Sequence, residues 1–152
     1  MAQRILVVDD ETPIAQLVGQ TLNAAGYETA IANDGATALP LLDPTRPFDL
    51  IVLDMRMPRL DGWQFSAAMR KRGLDIPIVV MTAVRDARGA AEQIGAVGYI
   101  TKPFDIDALE DTVRHALGDS EPGGGVVRSA YLAALHALAP PFWIAPPRPA
   151  LA

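Results

Sequence analysis

The sequence predicts an α/β domain: a doubly wound parallel sheet of five strands with five helices. Three observations carry that prediction. Short, nearly continuous runs of Ile, Leu and Val alternate with segments of helical period, as strands buried on both faces should. Strand and helix alternate along the chain, which places the helices as crossovers on both sides of the sheet. The polar residues that break the apolar pattern fall just after the runs, at the strand ends where such sheets bind ligands.

The elements follow in order. Arg4 to Val8 reads as the first strand, and Thr12 with Pro13 as a helix cap followed by proline at the first helical position, the helix closing at Gly26. Tyr27 to Ala32 is a second strand, weaker in pattern. Gly35 to Leu42 can hold only a bent or shortened helix because of Pro40. Leu50 to Leu53 is a buried strand; Asp61 and Gln64 then form a capping-box pattern for a helix running to about Arg72. Ile78 to Met81 is the fourth strand. Asp86 to Ile94 follows as a helix whose inner stripe is Ala87, Ala90, Ala91 and Ile94, weakened by Gly89. Val97 to Thr101 is the fifth strand, and Ile106, Leu109, Val113 and Leu117 stripe a last helix capped by Asp105.

Composition bounds the rest. The 152 residues suffice for one domain of ordinary size. Cysteine is absent, which removes disulfides, thiolate metal sites and cysteine nucleophiles. The Ile5 to Val8 run is too short for a signal peptide and no apolar stretch reaches spanning length, so neither secretion nor membrane insertion is expected and a cytoplasmic location is. A net charge of −5 argues against direct nucleic acid binding. Residues 1–118 hold 16 acids and 11 bases, whereas residues 119–152 hold two of each and 6 of the 13 prolines. The domain boundary is therefore set at Gly118, with 119–152 a Gly/Pro/Ala-rich tail that carries one short helical pattern over 126–139. Neither His115 nor His136 has a partner pattern for a metal.

Asp9 and Asp10 follow the first strand, Asp54 the third, Thr82 closes the fourth, and Lys102 comes after the fifth. With strand order 2-1-3-4-5 the first and third strands are neighbours, so three carboxylates converge on one crevice. Their mutual repulsion calls for a hard divalent cation, Mg²⁺ above all. Lys102 and Thr82 supply a point charge and a hydroxyl donor suited to phosphoryl oxygens. Taken alone, each residue has a bland role: the acids favour a helix N-terminus, Thr82 caps a loop, Lys102 is a surface lysine and Tyr99 a strand aromatic. Their joint placement on one sheet edge is what points to metal-assisted phosphoryl chemistry with a carboxylate nucleophile.

The acidic pair Asp9-Asp10, the segment from Asp54 through Pro58 to Asp61-Gly62, Thr82-Ala83 and Lys102-Pro103-Phe104 together resemble the receiver domain of two-component response regulators, over residues 3 to 118. The resemblance implies a flavodoxin-like fold and a protein that promotes only its own phosphorylation and dephosphorylation. It implies Asp54 as phosphoacceptor; Asp9, Asp10, Asp54 and the backbone carbonyl of Arg56 around Mg²⁺; Lys102 on the phosphoryl oxygens; Thr82 and Tyr99 as switch residues; and a cis peptide before Pro103. The donor would be a sensor histidine kinase or a histidine phosphotransfer protein, and the signal would leave through the face of the fourth helix, fifth strand and fifth helix. Arg56 and Val84 flank the path of hydrolytic water in this family, and without an acid there a long-lived phosphoryl state is expected. Three alternatives stand beside the stand-alone, chemotaxis-regulator-like reading: a receiver cut from a hybrid kinase or DNA-binding regulator, a phosphorylation-independent binding module, and, ranked far lower, a haloacid-dehalogenase-type phosphatase, which needs an acid where Arg56 stands.

Overall fold

The computed structural model describes residues 2–118. The tail and the helical pattern at 126–139 lie outside the described residues. Five parallel strands form one sheet in the order β2-β1-β3-β4-β5: β1 (Arg4–Val8), β2 (Glu28–Ala32), β3 (Leu50–Leu53), β4 (Ile78–Thr82) and β5 (Gly98–Thr101). Helices α1 (Thr12–Ala24), α2 (Gly35–Ala38), α3 (Gly62–Lys71), α4 (Ala87–Ile94) and α5 (Ile106–Ala116) alternate with them. This is the doubly wound, flavodoxin-like arrangement.

Strand alternation sorts the core into two layers. Leu6, Val8, Ile51, Leu53, Ile78 and Val80 join Phe65, Met69 and the inner stripe of α4 on one side of the sheet. Ile5, Val7, Leu50, Val52, Val79 and Met81 join Val18 and Leu22 of α1 and Leu109 and Val113 of α5 on the other. Because both faces are covered, the central strands read as unbroken apolar runs.

Several local expectations hold in detail. Asp61 accepts the Gln64 N–H at 2.8 Å while the Gln64 side chain accepts the Asp61 N–H at 2.9 Å, a complete capping box. Pro40 sits in a 3-10 turn, Leu39–Leu41, that cuts α2 to a single turn. Ala87, Ala90, Ala91 and Ile94 are all buried beneath α4.

Others need correction. The cap of α1 is Glu11, not Thr12, and its side chain makes no capping bond; Thr12 is already helical and its hydroxyl accepts from Asn33 at 3.3 Å. Asp105 does cap α5 in position, again without a side-chain bond. Ile106, placed in the buried stripe of that helix, is exposed, because α5 buries Ala108, Leu109, Thr112 and Val113 instead. Tyr27 precedes the ladder of β2, and Val97 stands one residue before the paired residues of β5 with its N–H already donating to the Ile78 carbonyl of β4 at 2.8 Å.

Candidate functional site

The registers put the ends of β1, β3, β4 and β5 side by side, with Val8 opposite Leu53 and Thr82 opposite Thr101. Asp9, Asp54 and Lys102 each follow a strand by one residue, and Thr82 ends one, so the four side chains issue from one edge of the sheet.

Lys102 is the hub. Its Nζ lies 2.6 Å from Asp9 Oδ2, 3.1 Å from Glu11 Oε1 and 3.2 Å from Asp54 Oδ2. Its backbone N–H donates to the Thr82 carbonyl at 2.9 Å, and the Lys102-Pro103 peptide is cis. Asp9 is fully buried and Asp54 nearly so. Asp9 Oδ1 accepts the Glu11 N–H at 2.9 Å, and Asp54 Oδ1 accepts the Arg56 N–H at 3.3 Å. Thr82 is buried, and its hydroxyl accepts the Val84 N–H at 3.3 Å. Tyr99 lies buried within the layer that holds α4, where burial pushes its phenol above the ordinary range.

The electrostatics follow from burial. Desolvation pushes Asp9 from the ordinary 3.8 to about 6, with the charge of Asp54 adding and the contacts from Lys102 and the Glu11 N–H only partly offsetting it. Asp10 is also raised, by partial desolvation and by Asp54. For Lys102, burial works against the charged form, but the carboxylates of Asp9, Asp54 and Glu11 outweigh it and push the ammonium up to about 12.

Three carboxylates thus surround one ammonium, with one oxygen each of Asp9, Glu11 and Asp54 mutually within 4.8 Å. Asp9 Oδ2 is buried and, apart from its ion pair, accepts no aligned hydrogen bond. Three carboxylates against one ammonium leave a surplus of negative charge, and that surplus with hard oxygen donors fits a divalent cation of the Mg²⁺ kind. Asp10, expected among the acids at the centre, is exposed and is not one of these three, though it stands near enough to Asp54 to feel its charge, whereas Glu11 was not singled out from the sequence. The signal for Glu11 was present as a third consecutive acid after β1. Arg56 is exposed beside Asp54, and Val84 is half-buried.

Comparison with known proteins places this geometry. A family model described as the response regulator receiver domain matches residues 5–114. Response regulator MprA of Mycolicibacterium vanbaalenii is 41% identical over 133 residues, 86% of this chain and 57% of that protein. Regulatory protein AtoC of Escherichia coli is 39% identical over 116 residues, 75% of this chain and 25% of that protein. The chain thus spans about half the length of the MprA relatives it matches, and less of AtoC. Among solved structures, the receiver domain of Francisella response regulator 1452 superposes with a TM-score of 0.69 at 33% identity, covering 78% of this chain and 99% of that one. Chemotaxis response regulator CheY4 of Vibrio cholerae gives 0.69 at 32%, covering 76% and 99%. Thermotoga maritima TrrA, crystallised with Mg²⁺ and BeF, gives 0.66 at 34%, covering 75% and 98%.

Proposed function

The chain belongs to the receiver-domain family of two-component response regulators, and from that premise we propose that it accepts a phosphoryl group on Asp54 and signals by protein contact. The observation that carries this reading is the buried carboxylate of Asp54, held at 3.2 Å by the Lys102 ammonium at the open end of the sheet. The donor is the phosphohistidine of a sensor kinase or phosphotransfer protein. An Asp54 carboxylate oxygen attacks phosphorus, the P–N bond breaks, and the imidazole leaves with its electron pair and takes up a proton, leaving an acyl phosphate. Lys102 orients and neutralises the phosphoryl oxygens, and the Thr82 hydroxyl donates to one of them once it is in place. Tyr99, on the strand between α4 and α5, reads the change, and the α4, β5 and α5 face passes it on. Asp9, Asp10, Glu11, Asp54 and the Arg56 carbonyl are the groups that would hold Mg²⁺. When bound, that ion neutralises charge that otherwise accumulates between nucleophile and phosphoryl group.

Among the described residues, no helix is long and apolar enough to cross a membrane. We place the protein in the cytoplasm, where kinases of this class present their phosphohistidine. Incubation with Mg²⁺ and a small phosphodonor is expected to load one phosphoryl group per chain, and Asp54→Ala to abolish it. The absence of any Asp54-dependent labelling would put the binding-module reading ahead. With Arg56 and Val84 beside the site, neither of them able to act as a base toward water, the acyl phosphate is expected to survive desalting of the purified protein. Loss of phosphate within that step, without a phosphatase, would contradict this.

A second reading rests on the length relation to MprA and AtoC: the receiver of a larger regulator or hybrid kinase. Reading the native gene past the Ala152 codon separates it from a stand-alone regulator.

A further inference from the structure

The turn between β2 and α2 touches both acid-bearing loops. On one side, the Asp9 N–H donates to the Ala32 carbonyl at 3.1 Å, and Asn33 Nδ2 donates to the Asp9 carbonyl at 3.2 Å and to the Thr12 hydroxyl at 3.3 Å. On the other, Arg59 Nη2 donates to Asp34 Oδ2, and Asp34 is almost fully buried. Asp34 also caps α2, its Oδ1 accepting the Thr37 N–H at 2.7 Å. Next to it, Gly35 lies so close to the loop that a Cβ would sit 2.7 Å from the Leu60 carbonyl oxygen.

The loop on that side is the one that leaves Asp54. It closes on itself where the Gly62 N–H donates to the Met55 carbonyl at 2.9 Å, and within it Arg59 holds φ of 68°. A non-glycine residue in the left-handed region is held there by its surroundings. Here the chain turns tightly about Arg59, the Leu60 N–H donating to the Pro58 carbonyl at 2.8 Å, while the buried Asp34 carboxylate holds the Arg59 side chain and the Gly35 backbone abuts Leu60. One short turn therefore grips the Asp9 loop by Asn33 and the Asp54 loop by Asp34 and Gly35.

We propose that Asn33, Asp34, Gly35 and Arg59 are positioning residues that set the spacing of the Asp9 and Asp54 loops and thereby the divalent-cation affinity of the site. The inference rests on the receiver reading for the identity of the cation, but the loop spacing is a property of the metal-free chain. None of the four residues is a ligand; each acts through the backbone it holds.

The test uses the full chain and two substitutions that spare the fold. Asp34→Asn keeps an oxygen to cap α2 but removes the charge that holds Arg59. Arg59→Gly removes the pair and relaxes the positive φ. Mg²⁺ affinity is read from amide shifts during titration, and loop order from hydrogen exchange of the Gly62 N–H in the metal-free protein. Each single variant is expected to weaken Mg²⁺ by about 3- to 10-fold, below the effect of losing a direct partner of a ligand. Gly62 exchange is expected to rise about 10-fold, the double variant to be no worse than either single one, and Arg59→Lys to recover most of the affinity. Unchanged Mg²⁺ affinity and Gly62 exchange in both single variants, whatever the melting temperature does, would overturn the proposal. Failure of the unaltered chain to bind Mg²⁺ overturns the reading of the site and the cation part of the inference, while faster Gly62 exchange in the variants still supports the positioning role.

Discussion

Asp9 carries an electrostatic cost in the metal-free molecule, because it is fully buried and the contacts from Lys102 and the Glu11 N–H only partly repay its desolvation. Its carboxyl sits at about 6 when folded against an ordinary 3.8, so the folded state holds the proton more tightly than the unfolded chain does. The stability this gives is complete below about pH 4 and is lost as pH rises through about 6. Urea unfolding of the metal-free protein is expected to show that decline. Asp9→Asn is expected to flatten it and to raise stability at pH 7 by about 1–2 kcal/mol, since Lys102 keeps Asp54 and Glu11. No change in the pH profile of Asp9→Asn would show that the cost lies elsewhere. At this scale the sequence was partly legible. Asp9, Asp54, Thr82 and Lys102 could be found because each follows or ends an apolar run, a local signal. The Arg59 to Asp34 pair could not, since it joins residues 25 positions apart through side chains on two loops. The exposure of Asp10 beside a buried Asp9 was equally hidden, because adjacent residues after a strand leave it in directions that no period fixes.

Helix α4 shows how two local rules can cancel. Gly89 weakens it, yet Gly89 also makes room for its cap: Asp86 Oδ1 accepts the Gly89 N–H at 2.8 Å, and a Cβ there would lie 2.0 Å from Asp86 Oδ2. Gly89→Ala should gain about 1 kcal/mol of helix propensity and lose about as much from the displaced cap. The expected net change in unfolding free energy is within about 0.5 kcal/mol, because the two effects oppose each other. In an Asp86→Ala background the same change should stabilise by nearly the full 1 kcal/mol. Equal effects in both backgrounds would mean that the carboxylate steps aside without loss. At its C-terminal end α4 is tied to α3, for Trp63 Nε1 donates to Gln93 at 2.7 Å and Arg70 to the Ile94 carbonyl. Its inner stripe is mostly alanine, with little apolar area to hold it. An element fixed at one end and lightly seated elsewhere suits a pivoting switch. Helix existence and the inner face of α4 were readable from the 3.6-residue period, though α5 turns Ile106 outward; caps were readable in part, since Asp61 and Gln64 form the box that their spacing announced, while Glu11 and Asp105 occupy cap positions without capping bonds, which loop geometry rather than residue type decides.

For the molecule as a whole, both faces of the sheet are covered by elements that end with α5, and Gly118 terminates that helix in the left-handed region at φ 69°. A chain cut after Gly118 is therefore expected to fold cooperatively, with a melting temperature within a few degrees of the full chain and unchanged Mg²⁺ response. A large drop would show that residues 119–152 contribute to the core. The fold was legible at this scale because a parallel sheet covered on both sides demands short, nearly unbroken apolar runs, and few topologies satisfy alternating strands and helices. The sheet is also a wall. Met69 packs on one side of it and Leu109 on the other, in groups with no member in common. Cavities cut at these two positions should have additive costs, each about 2–5 kcal/mol, because no neighbour can relax into both. One layer can thus accumulate substitutions that loosen or tighten α4 while the packing of α1 and α5 stays as it was, so mobility and stability can be tuned by separate sets of residues.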